Sequence, residues 1–284
     1  MTSTAGVVDE GTTTSHPLAA SLAALDASDE WVEWRSAVPL DGRGWIRCAD
    51  LQDRGLAKWE EEAAARQRVE HGRSDAITAA AYALEWYALV PGSLGGLLYR
   101  SARRVPTLSA DVLWVRQHAE EGWVDGVAWT GGRFWCLPAD PAAAHPDARV
   151  VDDETALAAV LRAEVRQHAD AFLATYRPGA RLARRDLLGA FFDGLDGAAW
   201  DYEETDPARF GPMVEAARVV LPGRTPEFRD SSTLYVLDRH DGAPHLTRER
   251  ISCCRHYRVA ADARACFTCP RTTRAERRDR LVDG

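Results

Sequence analysis

Four of the six cysteines in this chain of 284 residues lie close together near its end, at Cys253, Cys254, Cys266 and Cys269. They form the pattern Cys-Cys-x11-Cys-x2-Cys. Four thiols within so short a stretch are typical of the ligand set of one metal centre. Metal binding would then be part of the folding energy of this segment.

The adjacent pair, Cys253 and Cys254, indicates the kind of centre. One zinc ion usually takes cysteines two to four residues apart, so that both side chains point at it. Neighbouring side chains point to opposite sides of a strand and diverge on a helix. A two-iron cluster is wider and offers four thiolate positions over two irons, so we predict that the four cysteines bind a [2Fe–2S] cluster. A structural zinc module stays open, because the Cys-x2-Cys of Cys266 and Cys269 is ordinary for zinc.

The residues around the adjacent pair resemble the C-terminal motif of the ferric-siderophore reductases of the FhuF type. The run 250–258, Arg-Ile-Ser-Cys-Cys-Arg-His-Tyr-Arg, is similar to that family's Arg-x-Ser-Cys-Cys-x-x-Tyr-Arg signature. Eleven residues separate Cys254 from Cys266, one more than the family's usual spacing. A loop absorbs such an insertion easily. A weaker likeness runs through the predicted helix at 185–200.

The resemblance implies an enzyme that reduces siderophore-bound Fe(III) to Fe(II) by one electron and so releases the iron. It implies a [2Fe–2S] cofactor, a ferric siderophore of the hydroxamate type as substrate, and no catalytic residue beyond the cluster. The cysteines alone imply only the cluster, so a non-catalytic iron–sulfur sensor or binding protein stays open. No G-x-G-x-x-G follows a predicted strand, and there is no P-loop. We therefore expect an external electron donor, such as a ferredoxin.

Four further side chains flank the cysteines and are predicted to tune the cluster or dock substrate: Arg250, Arg255, Tyr257 and Arg258. All but Arg255 fall on the family signature. Arginines near the sulfurs tune a reduction potential by charge and hydrogen bonding, and they also suit anionic ligands. The alternative is that these side chains only pack and cap the loop. His256 is placed outside the ligand set, because four cysteines are already enough.

The charge of the chain is uneven. The formal net charge is −8, yet residues 248–280 carry ten arginines against four carboxylates. We therefore expect a positive surface beside the cysteines. Such a surface favours the reduced, more negative cluster and steers an acidic donor protein or an anionic ligand. Because the chain is acidic overall, no nucleic-acid partner is expected.

No targeting segment and no membrane span is predicted. The first basic residue is Arg35, so no charged region precedes an apolar core at the N-terminus. The most apolar stretch, 76–99, contains Glu85, Pro91 and three glycines, and it is predicted as a buried helix pair broken at Pro91. Clustered thiols then favour a cytoplasmic protein that binds metal over a secreted one with disulfides.

The apolar periodicity predicts an α+β fold, with a mostly helical body and a small central antiparallel β-meander. Besides the broken pair, helices are predicted at 17–27, 51–71, 153–175, 185–202 and 207–220. The meander strands are predicted at 112–115, 123–129 and 133–137, with one later strand at 233–237. Four parts follow: a disordered tail at 1–16, a helical and meander part at 17–150, a helical part at 151–247, and the cluster-binding segment at 248–284.

Other residues with chemical potential are predicted to be structural. Cys48 and Cys136 are isolated and are predicted as buried small hydrophobes. Glu164 and His168 are predicted as a surface pair one helical turn apart, because the Glu-x-x-His spacing of di-iron bundles is absent. Trp200 is predicted to face the core.

Overall fold

The computed structural model describes residues 15–52, 55–200, 204–262 and 264–281. The fold is α+β, as predicted. The helices of the described residues are α1 (Pro17–Asp26), α2 (Ala57–His71), α3 (Ala76–Ala102), α4 (Glu154–Thr175), α5 (Arg184–Ala198), α6 (Pro207–Val220) and α7 (Arg274–Arg280). The strands are β1 (Glu33–Arg35), β2 (Trp45–Arg47), β3 (Arg104–Pro106), β4 (Leu113–Gln117), β5 (Val124–Trp129), β6 (Phe134–Cys136), β7 (Ala148–Val150), β8 (Leu234–Asp238) and β9 (Pro244–Arg248). The predicted tail at 1–16 lies outside the described residues except for its last two.

Helices α3 and α5 pack against each other at the centre of the molecule. A Cβ on Gly92 would lie 2.5 Å from the backbone of Gly194, and one on Gly194 would lie 2.8 Å from the carbonyl oxygen of Ala88. The two backbones therefore approach each other as closely as glycine permits. An aromatic group closes the same core, because the Tyr87 ring stacks on Phe172 with centroids 4.2 Å apart.

Helix α3 runs unbroken through Pro91, so the prediction of a helix pair broken there was wrong. A proline inside a helix removes one backbone hydrogen bond and crowds the preceding turn. Here Pro91 is buried, and Gly92, Leu94 and Gly95 after it are buried as well. Packing on both sides of the proline outweighs its local cost, and no local pattern reveals that packing.

The predicted three-stranded meander was wrong in its third strand. Strands β4 and β5 pair antiparallel inside a four-stranded sheet with the order β1-β5-β4-β2. Strand β6 instead lies in a second sheet, between β3 and β7. Gly131 and Gly132 both have positive φ, 124° and 123°, a conformation open to glycine but not to other residues, and they lead the chain away from β5.

Cys48 and Cys136 are fully buried, which confirms the prediction for both. Glu164 and His168 are not a surface pair. His168 is buried, with Nδ1 2.6 Å from the carbonyl oxygen of Leu108 and Nε2 2.8 Å from the Tyr87 hydroxyl. The Glu164 carboxylate accepts the amide of Leu108 at 2.8 Å. The pair therefore satisfies the hydrogen-bonding groups of the Leu108 backbone. The spacing of Glu164 and His168 along the helix could not indicate this contact with a distant loop.

The C-terminal part begins with the antiparallel hairpin β8–β9, which confirms the strand predicted at 233–237. Helix α6 packs its buried Phe210 and Val214 against this hairpin. Strand β9 ends at Arg248 and leads directly into the cysteine segment. Within the described ranges, no helix has the length and apolar character needed to cross a membrane.

Candidate metal centre

The four predicted ligand cysteines lie together in the structure. The Sγ atoms of Cys253 and Cys269 are 3.6 Å apart, and those of Cys254 and Cys266 are 3.9 Å apart. All four are free thiols, because a disulfide would hold its sulfurs ~2.05 Å apart. Each pair joins one of the adjacent cysteines to one cysteine of the Cys-x2-Cys turn.

The sulfurs form two close pairs, joined by a further contact between Cys266 and Cys269, rather than one tetrahedron. Four thiolates on one zinc ion, with Zn–S bonds of ~2.3 Å, would all lie ~3.8 Å from one another. In the part of the chain that the structure describes, no three of these sulfurs lie within 4.8 Å of one another. Two pairs suit a centre with two metal ions, each taking two thiolates. The four cysteines are therefore a candidate metal-binding set, whose two close pairs would each serve one ion of a two-metal centre.

Backbone groups hold the two halves of the site together. The amide of Arg250 donates to the carbonyl of Thr268 at 2.8 Å, which ties the chain before the adjacent pair to the Cys-x2-Cys turn. Arg277 is fully buried and donates to the carbonyl oxygens of Phe267 and Cys269 at 2.8 and 2.7 Å. The turn is thus held by a guanidinium from the short helix α7.

Amides also point at the sulfurs. The backbone N–H of Arg271 donates to Sγ of Cys269 at 3.5 Å, and the N–H of Arg255 donates to Cys253. Arg255, directly after the adjacent cysteines, has φ of 61°, in the left-handed region. Hydrogen bonds of this kind stabilise a thiolate and raise the potential of a cluster that it ligates.

Arg250 is the side chain that contacts the thiols most directly. Its Nη2 atom lies 3.3 Å from Sγ of both Cys254 and Cys266, and its Nη1 atom lies 2.9 Å from the Glu85 carboxylate. Burial opposes the charge of Arg250, but Glu85 and the two thiols outweigh burial and raise the pKa of the guanidinium. Arg250 therefore stays positive beside the sulfurs.

One thiol of each pair is poised to lose its proton. Hydrogen bonds from the Cys254 and Cys269 thiols, with the charge of Arg250, lower the pKa of Cys266. A hydrogen bond from Cys269 lowers the pKa of Cys253. Thiolates are the form that binds metal, so the site is prepared for it.

Two acidic residues that the sequence analysis did not single out as part of the site organise it. Glu85 of α3 holds Arg250, and burial raises the pKa of its carboxyl to about 7. Asp193 of α5 accepts the amides of Ile251 and Ser252 at 2.9 and 2.8 Å. Glu85 is a lone acid inside an alanine-rich helix, and this isolation was the sequence signal that could have indicated its role. Asp193 lies within the helix whose sequence weakly resembles the family.

The other flanking residues contact the protein rather than the sulfurs through their side chains. Arg255 pairs with Asp186 of α5 at 2.8 Å, and Arg258 pairs with Asp75 at 2.9 Å. The ring of Tyr257 lies under the Arg271 guanidinium, 4.7 Å from its centroid. These contacts brace the loop.

His256 lies in the same loop and is held by a residue of α3. Its Nδ1 atom is 2.6 Å from the Tyr82 hydroxyl, and its ring meets that of His71 edge-on at 5.4 Å. This contact fixes the loop against the helical body. The prediction that His256 is not a ligand stays a prediction.

The chain was compared with known proteins. No protein-family model matches it, and no curated protein matches it. The function of the chain is therefore inferred from the site itself and from the motif at 250–258.

Proposed function

We propose that this chain is a ferric-siderophore reductase in which Cys253, Cys254, Cys266 and Cys269 hold a [2Fe–2S] cluster. The observation that carries the proposal is the arrangement of the four sulfurs in two pairs, with the Arg250 guanidinium on both sulfurs of one pair. The motif resemblance at 250–258 supplies the substrate class. The cytoplasm is the proposed location, because it keeps such thiols reduced.

On this proposal, each close pair of sulfurs would serve one iron. Cys253 and Cys269 would share one iron, and Cys254 and Cys266 the other. Adjacent cysteines then serve different irons, which resolves the difficulty of pointing two neighbouring side chains at one ion.

A [2Fe–2S] cluster, when bound, supplies reversible one-electron transfer. The chain's own residues set the conditions. Arg250 offsets negative charge on the thiolates of Cys254 and Cys266, and Glu85 holds the guanidinium in place. Asp193 fixes the backbone immediately before the adjacent cysteines.

The substrate is Fe(III) held by the hard oxygen donors of a siderophore, of the hydroxamate type by resemblance. The chelated iron gains one electron and becomes Fe(II), for which these donors have much lower affinity, so the metal leaves. The protein loses that electron and regains it from an external donor. Exposed arginines beside the site, including Arg264, Arg271 and Arg278, form a surface suited to an acidic ferredoxin.

A single-turnover assay tests the reaction. Protein purified anaerobically, reduced and freed of reductant is mixed with a ferric trihydroxamate and a chelator that is coloured by Fe(II). We expect one Fe(II) per reduced centre from the wild type and from Cys48→Ala, a matched change of a buried cysteine outside the site. Cys254→Ser should release none. Cluster-loaded protein that reduces no chelate would instead identify a sensor.

A further inference from the structure

A cavity of 580 Å³ opens next to Arg248, two residues before Arg250 of the candidate metal centre. It lies between the residues after α1, the middle of α3, the C-terminal half of α5 and the end of β9. Trp31, Trp34 and Trp200 contribute to its walls, together with Leu89 and Leu97. The volume is that of a small-molecule site, and indole walls suit a ligand with a flat or apolar portion.

The cavity contains a buried arginine whose charge is incompletely matched. Arg248 is 8% exposed, and its Nη1 atom donates to the carbonyl oxygen of Asp193 at 2.6 Å. Its Nε atom is buried without a hydrogen-bond partner. Among the described residues, no carboxylate lies within 4.0 Å of this guanidinium. A buried cation without an ion pair among the described residues is costly, and an oxygen anion in the cavity would stabilise it.

The acids whose charge attracts Arg248 most, Asp196 and Asp193, and Asp29 of the cavity wall are engaged in other hydrogen bonds. Asp196 accepts hydrogen bonds from Ser232 and Thr233, and the Asp193 carboxylate accepts the amides before Cys253. Asp29, also in the cavity wall, accepts the amide of Trp31 and the indole N–H of Trp34. None of these three carboxylates forms an ion pair with Arg248.

Helix α5 is shaped to receive this guanidinium. A Cβ on Gly197 would lie 2.9 Å from Nη1 of Arg248 and 3.2 Å from its Cζ. The Trp200 ring lies 5.8 Å from the same guanidinium on another side. Glycine at this helical position therefore makes room for Arg248, although it lowers the intrinsic stability of the helix.

Hydrogen bonds of Asp193 connect the cavity to the candidate metal centre. Its carbonyl oxygen accepts from Arg248, and its carboxylate accepts from Ile251 and Ser252, directly before Cys253. Arg248 is also two residues from Arg250, which contacts the sulfurs. A ligand on Arg248 would thus lie against the element that positions the cysteines.

We propose that this cavity binds an anionic chelate, with a carboxylate or similar oxygen anion on Arg248 and a flat or apolar portion against the tryptophans. The identification of that chelate as a ferric siderophore rests on the proposed function. The binding site itself does not, because it is argued from Arg248, Gly197 and the indole walls.

Calorimetric titration with gallium(III) complexes tests binding separately from electron transfer, because gallium(III) is not reduced. One probe is the gallium complex of aerobactin, an anionic citrate-based dihydroxamate. The other is that of desferrichrome, a neutral trihydroxamate. We expect Arg248→Met to lower the affinity for the anionic complex at least ~10-fold and to affect the neutral one less. Arg149→Met, a matched change on β7 outside the cavity, should change neither.

Gly197→Ala provides a second variant, because it displaces the guanidinium without removing it. It should lower the affinity for the anionic complex by a smaller factor than Arg248→Met does. Arg248→Met should unfold at no lower temperature than the wild type, since it removes an unpaired buried charge. Equal affinity of wild type and Arg248→Met for the anionic complex, or no binding by the wild type, would overturn the proposal. A protein that binds through Arg248 but reduces no ferric chelate would overturn only the proposed function.

Discussion

The helical core and the C-terminal segment are stabilised in different ways. Around α3, α4 and α5 most of the buried side chains are apolar or aromatic, with Tyr87, Phe172 and Phe191 in mutual contact. In residues 248–281 many of the buried side chains are polar, including the fully buried Arg277. Burial of apolar surface is the main stabilising contribution to folding, so the second region lacks much of what holds the first.

The difference suggests that the two regions have different roles. The core would keep its structure without help and present Glu85, Asp193 and Tyr82 at fixed positions. The segment that contacts them gathers four thiols and a buried guanidinium, and on the proposed function it gains its full stability when metal is bound. The comparison therefore predicts a rigid platform and a metal-dependent covering segment.

Removal of metal should produce the largest effect. After anaerobic chelation, or in Cys254→Ser, amides in 250–281 should lose protection from hydrogen exchange by at least ~100-fold, about 2.7 kcal/mol. Amides in α3 and α5 should change little, because their burial does not involve the cysteines. Hydrogen-exchange mass spectrometry measures both regions in one sample. Equal loss in both would contradict this difference in roles.

Acid should weaken the core through His168. Burial lowers the pKa of this histidine from 6.5 to about 4, so the unfolded chain binds more protons between these values. The free energy of unfolding should therefore fall as the pH drops from 7 to 4, by ~3 kcal/mol from this group. Denaturant unfolding at several pH values should show that the free energy of unfolding depends less steeply on pH in His168→Gln than in the wild type.

A smaller effect should distinguish an arginine that tunes the cluster potential from one that only holds the C-terminal segment in place. Arg250→Gln removes a positive charge from the sulfurs of Cys254 and Cys266, so the cluster potential should become more negative by tens of millivolts while the cluster remains. Arg258→Gln changes an arginine that pairs with Asp75 instead, and its potential should match the wild type. Redox titration followed by EPR gives both values. Identical potentials in all three proteins would remove the tuning role of Arg250.

Local signals predicted much of the secondary structure. Helix α6 has the predicted bounds, because Asp206 caps it and Pro207 fits its first turn. The failures at Pro91 and at β6 share one cause. In both, the outcome depends on partners distant in sequence, α5 in one case and strands β3 and β7 in the other.

For the candidate site, too, the sequence predicted the local features and not those that depend on distant parts of the chain. Spacing alone grouped the four cysteines, and the structure brings them together. Spacing could not indicate which cysteines pair or that Arg248 lines a cavity. Trp200, predicted to face the core, packs on the small cluster around α6 but also lines that cavity. Such features depend on the packing of helices from separate parts of the chain.

The most direct test of the central claim is an absorption and EPR spectrum of anaerobically purified protein, with metal analysis, before and after dithionite. The account predicts a red-brown protein with two irons and two acid-labile sulfides, which bleaches and gains the signal of one unpaired electron. A colourless protein with one zinc ion on the four cysteines would contradict it and leave a structural centre.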